Sequence, residues 1–532
     1  MKFSNSYIEL GEQFFHRVLP QKVASPNLLL WNKQLADSLF IATAQQNDKE
    51  LLSQFFSGNE LPEGAESIAL AYSGHQFGHF NPNLGDGRAH LLGEIIDSSG
   101  IRRDIQLKGS GQTSFSRRGD GKCALGPALR EYIMSEALFF LGVPTSRCLA
   151  VVSTGEMISR GMAKPGAVVT RVADSHIRVG SFQYFAARRN TAATKSLLNF
   201  TIERHFPEIN ALTNVFEESQ KGEAFEKRTL LFLEKAIDKQ IALVIEWMRI
   251  GFIHGVMNTD NTAVCGETID FGPCAMMGEY DEKAVFSSID EYGRYAFGSQ
   301  GKIAQWNMAR LADCLLPLLI ENGIELASTN ENDGGNQVEE IDQDDLEQLA
   351  IEKVESVIHQ YTSKFEDAYF VMYAKKIGFT RVTEDIKSLV SDLLTIMQAQ
   401  NLDYTQTFHS LTQSLSKGVK TTDLIPDLND WIKLWRETLD KCQISNREAK
   451  EVMTNNNPVV IPRNHHVEAL LERCEQSIMT SKANANIDIK VAELVEEFLQ
   501  VIRSPYKEIE STKYYQDAPE DKDKYYQTFC GT

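Results

Sequence analysis

The 532-residue sequence contains no run of 18 or more apolar residues, so no segment reads as a transmembrane helix. It has no C-x-x-C pair among Cys123, Cys148, Cys265, Cys274, Cys314, Cys442, Cys474 and Cys530, which argues against a zinc site. Positive charge is short. Fifty-four Lys and Arg face 73 Asp and Glu, a net charge of −19. Nucleic acid and anionic membrane are both repelled by that excess and are not expected as main partners. The opening "MKFSNSYIELGEQFF" lacks the charged and apolar regions of a signal peptide. It also lacks the Arg- and Ser-rich, acid-poor character of a transit peptide, so a cytoplasmic location is the expectation.

What is present suits a large folded enzyme. Apolar residues make up 42% and charged residues 24%, ordinary values for a globular protein that buries a sizeable core. "AHLLGEII" and "RRDIQLKG" flank the turn cluster "DSSG" and predict a β-hairpin. "GPALREYIMSEALFFLG" predicts a helix, with Pro127 in its first turn and Gly142 closing it. "CLAVVSTGEMISRG" predicts a second hairpin turning at Gly155-Glu156, and "GAVVTRVA" a further strand. From about residue 190 the pattern is helical, including a long helix over "TLLFLEKAIDKQIALVIEWMRIGF". "TAVC-GE-TIDF" predicts a short hairpin with Gly266 at its turn.

Several constellations carry chemistry. "LGDGRAHLLG" places Gly85 and Gly87 around Asp86 with Arg88 following, a turn whose backbone N–H groups and guanidinium suit phosphate. Lys108 ends a strand 20 residues after Arg88, and Glu131 lies 23 residues further on, in a helix. The pair fits a phosphate-gripping lysine and its ion-pair partner. A second Gly-Asp-Gly, with Asp120 and Gly121 in "SRRGDGK", is equally a bland turn or a nucleotide contact. Arg171 and Arg178 are equally solvent-facing strand-end residues or cations for a triphosphate, and His176 between them reads as structural.

The strongest signal is "HGVMNTDNTAVCGETIDFG", residues 254–272. A kinase-type loop reads His-x-Asp-x-x-x-x-Asn and is followed by Asp-Phe-Gly. Here His254, Asn261 and Asp270-Phe271-Gly272 are in place, but Val256 stands where the catalytic Asp belongs and Asp260 precedes the Asn. Asn261 and Asp270 are hard oxygen ligands of the kind Mg²⁺ takes alongside phosphate and water. The expected fold class is α+β, a protein-kinase-like two-lobed fold with nucleotide between a β-rich N-lobe and a helical C-lobe. The expected division is an N-terminal extension over 1–80, an N-lobe over 81–185 and a C-lobe with the metal site over 186–320. An acidic flexible insertion over 321–347 and a helical region with a tail over 348–532 complete it. A γ-phosphoryl-transferring kinase and a catalytically silent nucleotide-binding scaffold remain open on these residues alone.

The blocks "AYSGHQFGHF", "LGDGRAHLLGE", "IQLKGSGQTSFSRRGDGK", "LREYIMSEALFFLGVPTSR", "GAVVTRVADSHIRVGSF" and "HGVMNTDNTAV…TIDFGPCAMM" together resemble the SelO/YdiU family of protein nucleotidyltransferases. The resemblance continues through "NNPVVIPRNHHVEALL" to the terminal "CGT". It implies transfer of AMP, and in some members UMP, from the triphosphate to Ser, Thr or Tyr hydroxyls of proteins, with ATP flipped relative to kinases and Mg²⁺ or Mn²⁺ as the ion. It implies nucleotide contacts at Gly85, Gly87, Arg88, Lys108, Asp120, Gly121, Arg171, Arg178 and Asp270. Glu131 would partner Lys108, Asp260 would accept the proton, and Asn261 and Asp270 would hold the metal. It further implies a redox-sensitive disulfide between Cys274 and Cys530.

Overall fold

A computed structural model describes residues 1–213, 221–333, 343–416, 428–480, 487–519, 523 and 525–529. The architecture is α+β. The N-terminal residues supply β1 (Phe15–Arg17), β2 (Asn27–Trp31) and β3 (Ile68–Leu70). A small separate hairpin follows, β4 (Gly74–Gln76) with β5 (His79–Asn81). Then come β6 (Ala89–Ile96), β7 (Arg102–Lys108), β8 (Cys123–Ala124), β9 (Arg147–Arg160) and β10 (Met162–Ala173). Eight of these strands form one antiparallel sheet in the order β1-β3-β6-β7-β10-β9-β2, with β8 added to β10. Three strands from the first 70 residues, β1, β2 and β3, thus share a sheet with the strands that follow.

Strand periodicity sorts this sheet's two faces. Ile105 and Leu107 of β7 pack with Leu92, Val168 and Val172 in a core covered by Leu52 and Phe56 of the N-terminal segment. The alternate residues Gln106 and Lys108 therefore point to the other face. Arg171 of β10 lies opposite Gln106 in register, and Val169 lies opposite Lys108. The chain thus delivers Lys108 and Arg171 to one face as near neighbours. The helix Leu125–Phe140 packs under that face through Leu129, Tyr132 and Ile133, which join the main core.

The β6–β7 hairpin and the Leu125–Phe140 helix form as expected. The expected turn at Gly155-Glu156 does not. Strand β9 runs through it, and the register against β10 jumps from Ala167↔Ser153 to Pro165↔Met157, so Gly155 (φ +71°) makes a bulge and the turn falls at Gly161. A positive-φ glycine serves either feature, which is why the pattern misplaced it. The expected hairpin over 262–271 is also absent. Gly266 N–H does close a turn onto the Ala263 carbonyl at 3.1 Å. The two arms pair elsewhere, Ala263 with Arg178 and Thr268 with Thr145.

Long helices follow, among them Lys221–Ile250, Gln300–Asp333 and Gln343–Lys376. The ends of the expected 321–347 insertion are helical, because residues to 333 extend one helix and residues from 343 begin the next. Residues 334–342 lie outside the described residues. Between these helices and the sheet sit a two-residue strand pair, β11 (Phe252–Ile253) with β12 (Ala275–Met276), and the 254–272 loop. No described helix is long and apolar enough to cross a membrane.

Candidate active site

The face carrying Lys108 and Arg171 is the roof of a cleft of about 500 Å³. Lys108 Nζ donates to Glu131 Oε2 at 2.7 Å and to Asp270 Oδ1 at 2.9 Å. Arg171 donates from Nε to Glu131 and from Nη2 to Asp270 Oδ1 at 2.8 Å. Two cations and two carboxylates therefore interlock, and each carboxylate is held by both cations. Burial alone would raise the Glu131 carboxyl, but Arg171 and Lys108 outweigh it and hold it below its usual range. Burial also opposes ionisation of Asp270, yet Lys108, Arg171, Arg178 and Arg88 hold its carboxyl well below the usual range. Asp270 adopts φ +67°, a left-handed conformation uncommon outside glycine.

Asp260 sits in the opposite environment ten residues earlier in the same loop. It is 7% exposed, and burial pushes its carboxyl up to about 6 although Arg178 lies near. Gln76 of β4 donates to its Oδ2 at 3.2 Å, while Oδ1 is buried with no hydrogen-bond partner. Gly74 makes this packing possible, because a Cβ there would lie 2.6 Å from Asp260 Oδ1. The β4–β5 hairpin is fastened to the loop by His75 N–H on Thr259 Oγ1 at 2.7 Å and Phe77 N–H on Asn258 Oδ1 at 3.0 Å. His254 donates from Nε2 to the Ile269 carbonyl at 2.9 Å and ties the two ends of the loop together. Val256 is buried and lines the cleft without a polar group.

Asn261 and Asp270 both line the cleft. Asn261 spends its amide N–H₂ on the Val256 carbonyl at 3.1 Å, so of its two amide atoms only Oδ1 could serve a cation. Among the described residues no cluster of three or more His, Cys, Asp or Glu could hold an ion unaided. One Asp and one Asn oxygen suit a hard cation that completes its shell with phosphate and water.

Both Gly-Asp-Gly turns line the cleft, and the segment leading into the second packs on the first. Thr113 Oγ1 donates to the Asp86 carbonyl at 2.7 Å, and Ser116 Oγ donates to the Gly87 carbonyl. Gly85 (φ +73°) packs directly under the Phe115 ring, where a Cβ would collide. Gly85, Gly87, Arg88, Asp120 and Gly121 all line the cleft. The Asp120 carboxylate is committed to Arg160, with both bonds at 2.8 Å, and this pairing holds its carboxyl down at about 2. Arg178 is buried, donates to the Asp260 carbonyl at 3.0 Å and lies over the Tyr72 ring at 4.4 Å. His176 bonds Asp104 in the core beneath, a structural place.

The sequence-derived residues Lys108, Glu131, Arg171, Arg178, Asp260, Asn261 and Asp270 thus converge on one cleft with both glycine turns. Reading the sequence missed Gln76, Arg160 and the burial of Asp86, whose Oδ2 accepts from Gln106 at 3.0 Å. Gln76 and Asp260 are 184 residues apart, and only the block "AYSGHQFGHF" marked the region. Cys274 is fully buried, and burial pushes its thiol up to about 11. Cys530 lies outside the described residues. Thr528, two residues before it, donates to the Pro273 carbonyl at 2.7 Å.

Comparison with known proteins gives a consistent answer. The family model described as protein adenylyltransferase SelO matches residues 1–492. A protein nucleotidyltransferase YdiU from Teredinibacter turnerae is 45% identical over 532 residues, covering all of both chains. Another of that name from Pseudoalteromonas translucida is 44% identical over 532 residues, again all of both. One from Bacillus cereus is 44% identical over 530 residues, 99% of this chain and 98% of the relative. The class these matches define is that of the protein nucleotidyltransferases. Within it, the chain belongs to the SelO family.

Proposed function

We propose that this protein transfers AMP from ATP to Ser, Thr or Tyr hydroxyls of protein substrates and releases pyrophosphate. The observation that carries the reading is the contrast within the 254–272 loop. One carboxylate is gripped by cations, and another is buried with an unpaired oxygen. We read the fold as protein-kinase-like and two-lobed, with residues 81–185 over the nucleotide and 186–320 beneath it.

Lys108, Arg171, Arg178 and Arg88 neutralise the triphosphate. The Gly85–Gly87 turn shapes its seat rather than donating to it as the sequence led us to expect, because the Gly85, Asp86 and Gly87 N–H groups are bonded to the Tyr72, Leu70 and Gly85 carbonyls. The cleft carries more cations than the lysine alone, as a nucleotide with its β- and γ-phosphates turned inward requires. Asp260 takes the proton of the acceptor hydroxyl as that oxygen bonds to the α-phosphorus. The bond from the α-phosphorus to the bridging oxygen breaks, and pyrophosphate leaves with the electron pair. A carboxyl raised to about 6 is ionised near neutral pH yet basic enough to help. Asn261 and Asp270 would hold Mg²⁺ or Mn²⁺, which when bound supplies charge neutralisation for the phosphates. Val256, an apolar residue at the usual base position, fits a reaction whose acceptor approaches a different phosphorus.

Intact-mass analysis after incubation with ATP, alongside α- and γ-labelled nucleotide, tests this reading. A gain of one AMP with α-label retained on protein is expected. UTP in place of ATP tests UMP transfer in the same cleft. Transfer of γ-label would instead make the protein a kinase, and no gain in mass on any protein would make it a scaffold.

The seat of Thr528 on Pro273 supports a Cys274–Cys530 disulfide that forms when an added oxidant takes two electrons from the two thiols. Non-reducing peptide mapping is expected to recover the two cysteines joined after oxidation. Two free thiols after oxidation would remove the disulfide.

A further inference from the structure

Asp86, the middle residue of the first glycine turn, is only 2% exposed and has no role in the transfer chemistry so far. The turn lies back along the end of β3. Gly85 N–H donates to the Tyr72 carbonyl at 3.1 Å, and Asp86 N–H donates to the Leu70 carbonyl at 2.9 Å. Asp86 Oδ2 in turn accepts from Leu70 N–H at 3.3 Å and from Gln106 Nε2 at 3.0 Å. One residue thus grips both the N–H and the carbonyl of Leu70, which fixes the direction of its carboxylate. The other oxygen, Oδ1, faces Arg178 Nη2 at 3.6 Å.

Arg178 stands just before the helix Val179–Ala186, and its backbone is held there by its N–H on Ser181 Oγ at 3.2 Å. Its guanidinium lies over the Tyr72 ring and donates to the Asp260 carbonyl. Its Nε is buried with no hydrogen-bond partner, and among the described residues Asp86 is its only ion-pair partner. Burial pushes the Asp86 carboxyl above its ordinary range, and Arg178 is the strongest charge pulling it back. Gln106 extends the support to the second arginine, since its Oε1 accepts from Arg171 Nη1 at 3.4 Å. One buried carboxylate therefore stands behind Arg178 directly and behind Arg171 at one remove.

We propose that Asp86 is a positioning residue that holds the Arg178 guanidinium aimed at the triphosphate. The inference rests on the nucleotide-binding part of the reading above and gives the first Gly-Asp-Gly a use that its spent N–H groups do not. The turn folds back on residues 70–72, and the Asp between the glycines anchors a cation of the cleft. Asn cannot replace it. With its oxygen on Leu70 and Gln106, an Asn turns its N–H₂ toward Arg178, donor against donor. With its oxygen on Arg178, it turns the N–H₂ toward the Leu70 and Gln106 donors instead.

The test is a double-mutant cycle on the full-length enzyme, read by equilibrium binding of ATP with Mg²⁺ and of adenosine, which lacks phosphate. Asp86→Asn is expected to weaken ATP about 10-fold and to leave adenosine unchanged. Arg178→Gln is expected to weaken ATP about 10²-fold. In the Arg178→Gln background the effect of Asp86→Asn is expected to shrink to about 2-fold, the part carried through Gln106. Asp86→Ser, smaller and also uncharged, runs through the same cycle with the same expectation, so the test does not hang on one variant folding. An undiminished loss in the Arg178→Gln background, or an equal loss for adenosine, overturns the role of Asp86 whether or not AMP is transferred. Coupling of the two residues in ATP binding with no AMP added to protein would overturn the transfer reading and leave Asp86 in its role.

Discussion

Asp260 and Asp270 stand in one loop, line one cleft and carry the same functional group, yet their surroundings pull them apart. Asp270 meets Lys108 at 2.9 Å and Arg171 at 2.8 Å, so its charge is fixed. Asp260 meets an uncharged Gln76 and the backbone around Gly74, so its charge is costly. Under the proposed function, this division makes Asp270 the ligand for positive charge and Asp260 the proton acceptor. Glu267, between them in sequence, sharpens the lesson. Burial pushes its carboxyl up to about 7, but it faces Cys265 and the Asp174 N–H away from the cleft. A raised carboxyl becomes a base only where a substrate can reach it.

The division can be broken one side chain at a time. Asp270→Asn removes the charge that Lys108 and Arg171 share, and AMP transfer is expected to fall by at least about 10³-fold, with nucleotide affinity lost as well. Equilibrium binding together with transfer rates checks both effects. Asp260→Asn is expected to lower the transfer rate by about 10²-fold while nucleotide affinity stays within a factor of two. Gln76→Ala removes one hydrogen bond to a charged group and is expected to cost about 10-fold in transfer, again without loss of nucleotide affinity.

Glu267→Gln should leave transfer unchanged and act on stability alone. Its folded carboxyl is raised above the ordinary 4.5, so the wild type loses stability as pH rises from about 4.5 through about 7. Chemical denaturation at pH 8 is expected to show the variant more stable by about 3 kcal/mol, with almost no difference at pH 4. An equal effect at both pH values would mean that Glu267 is not held neutral by burial.

Much of this site could be read in the sequence because its members carry local signatures. Lys108 ends an alternating strand, Glu131 lies on a helix with a clear start and stop, and Asn261 and Asp270 keep a recognisable spacing. The sheet's two faces follow from the same alternation that placed Lys108 and Gln106 together. What escaped notice depends on distant partners. Nothing near Gln76 announces a bond to Asp260, and nothing near Asp120 announces that Arg160 of β9 occupies its carboxylate. The Gly155 bulge and the outside pairing of the arms around Gly266 escaped notice for the same reason. Local pattern gives a glycine its conformation, and the neighbouring strands decide what that conformation is used for.

The most direct test is single-turnover AMP transfer by Asp260→Asn enzyme at saturating ATP, followed by intact mass. The account predicts that the variant binds ATP as the wild type does and transfers AMP about 10²-fold more slowly. Transfer at the wild-type rate would contradict it, because the proton of the acceptor hydroxyl would then have gone elsewhere.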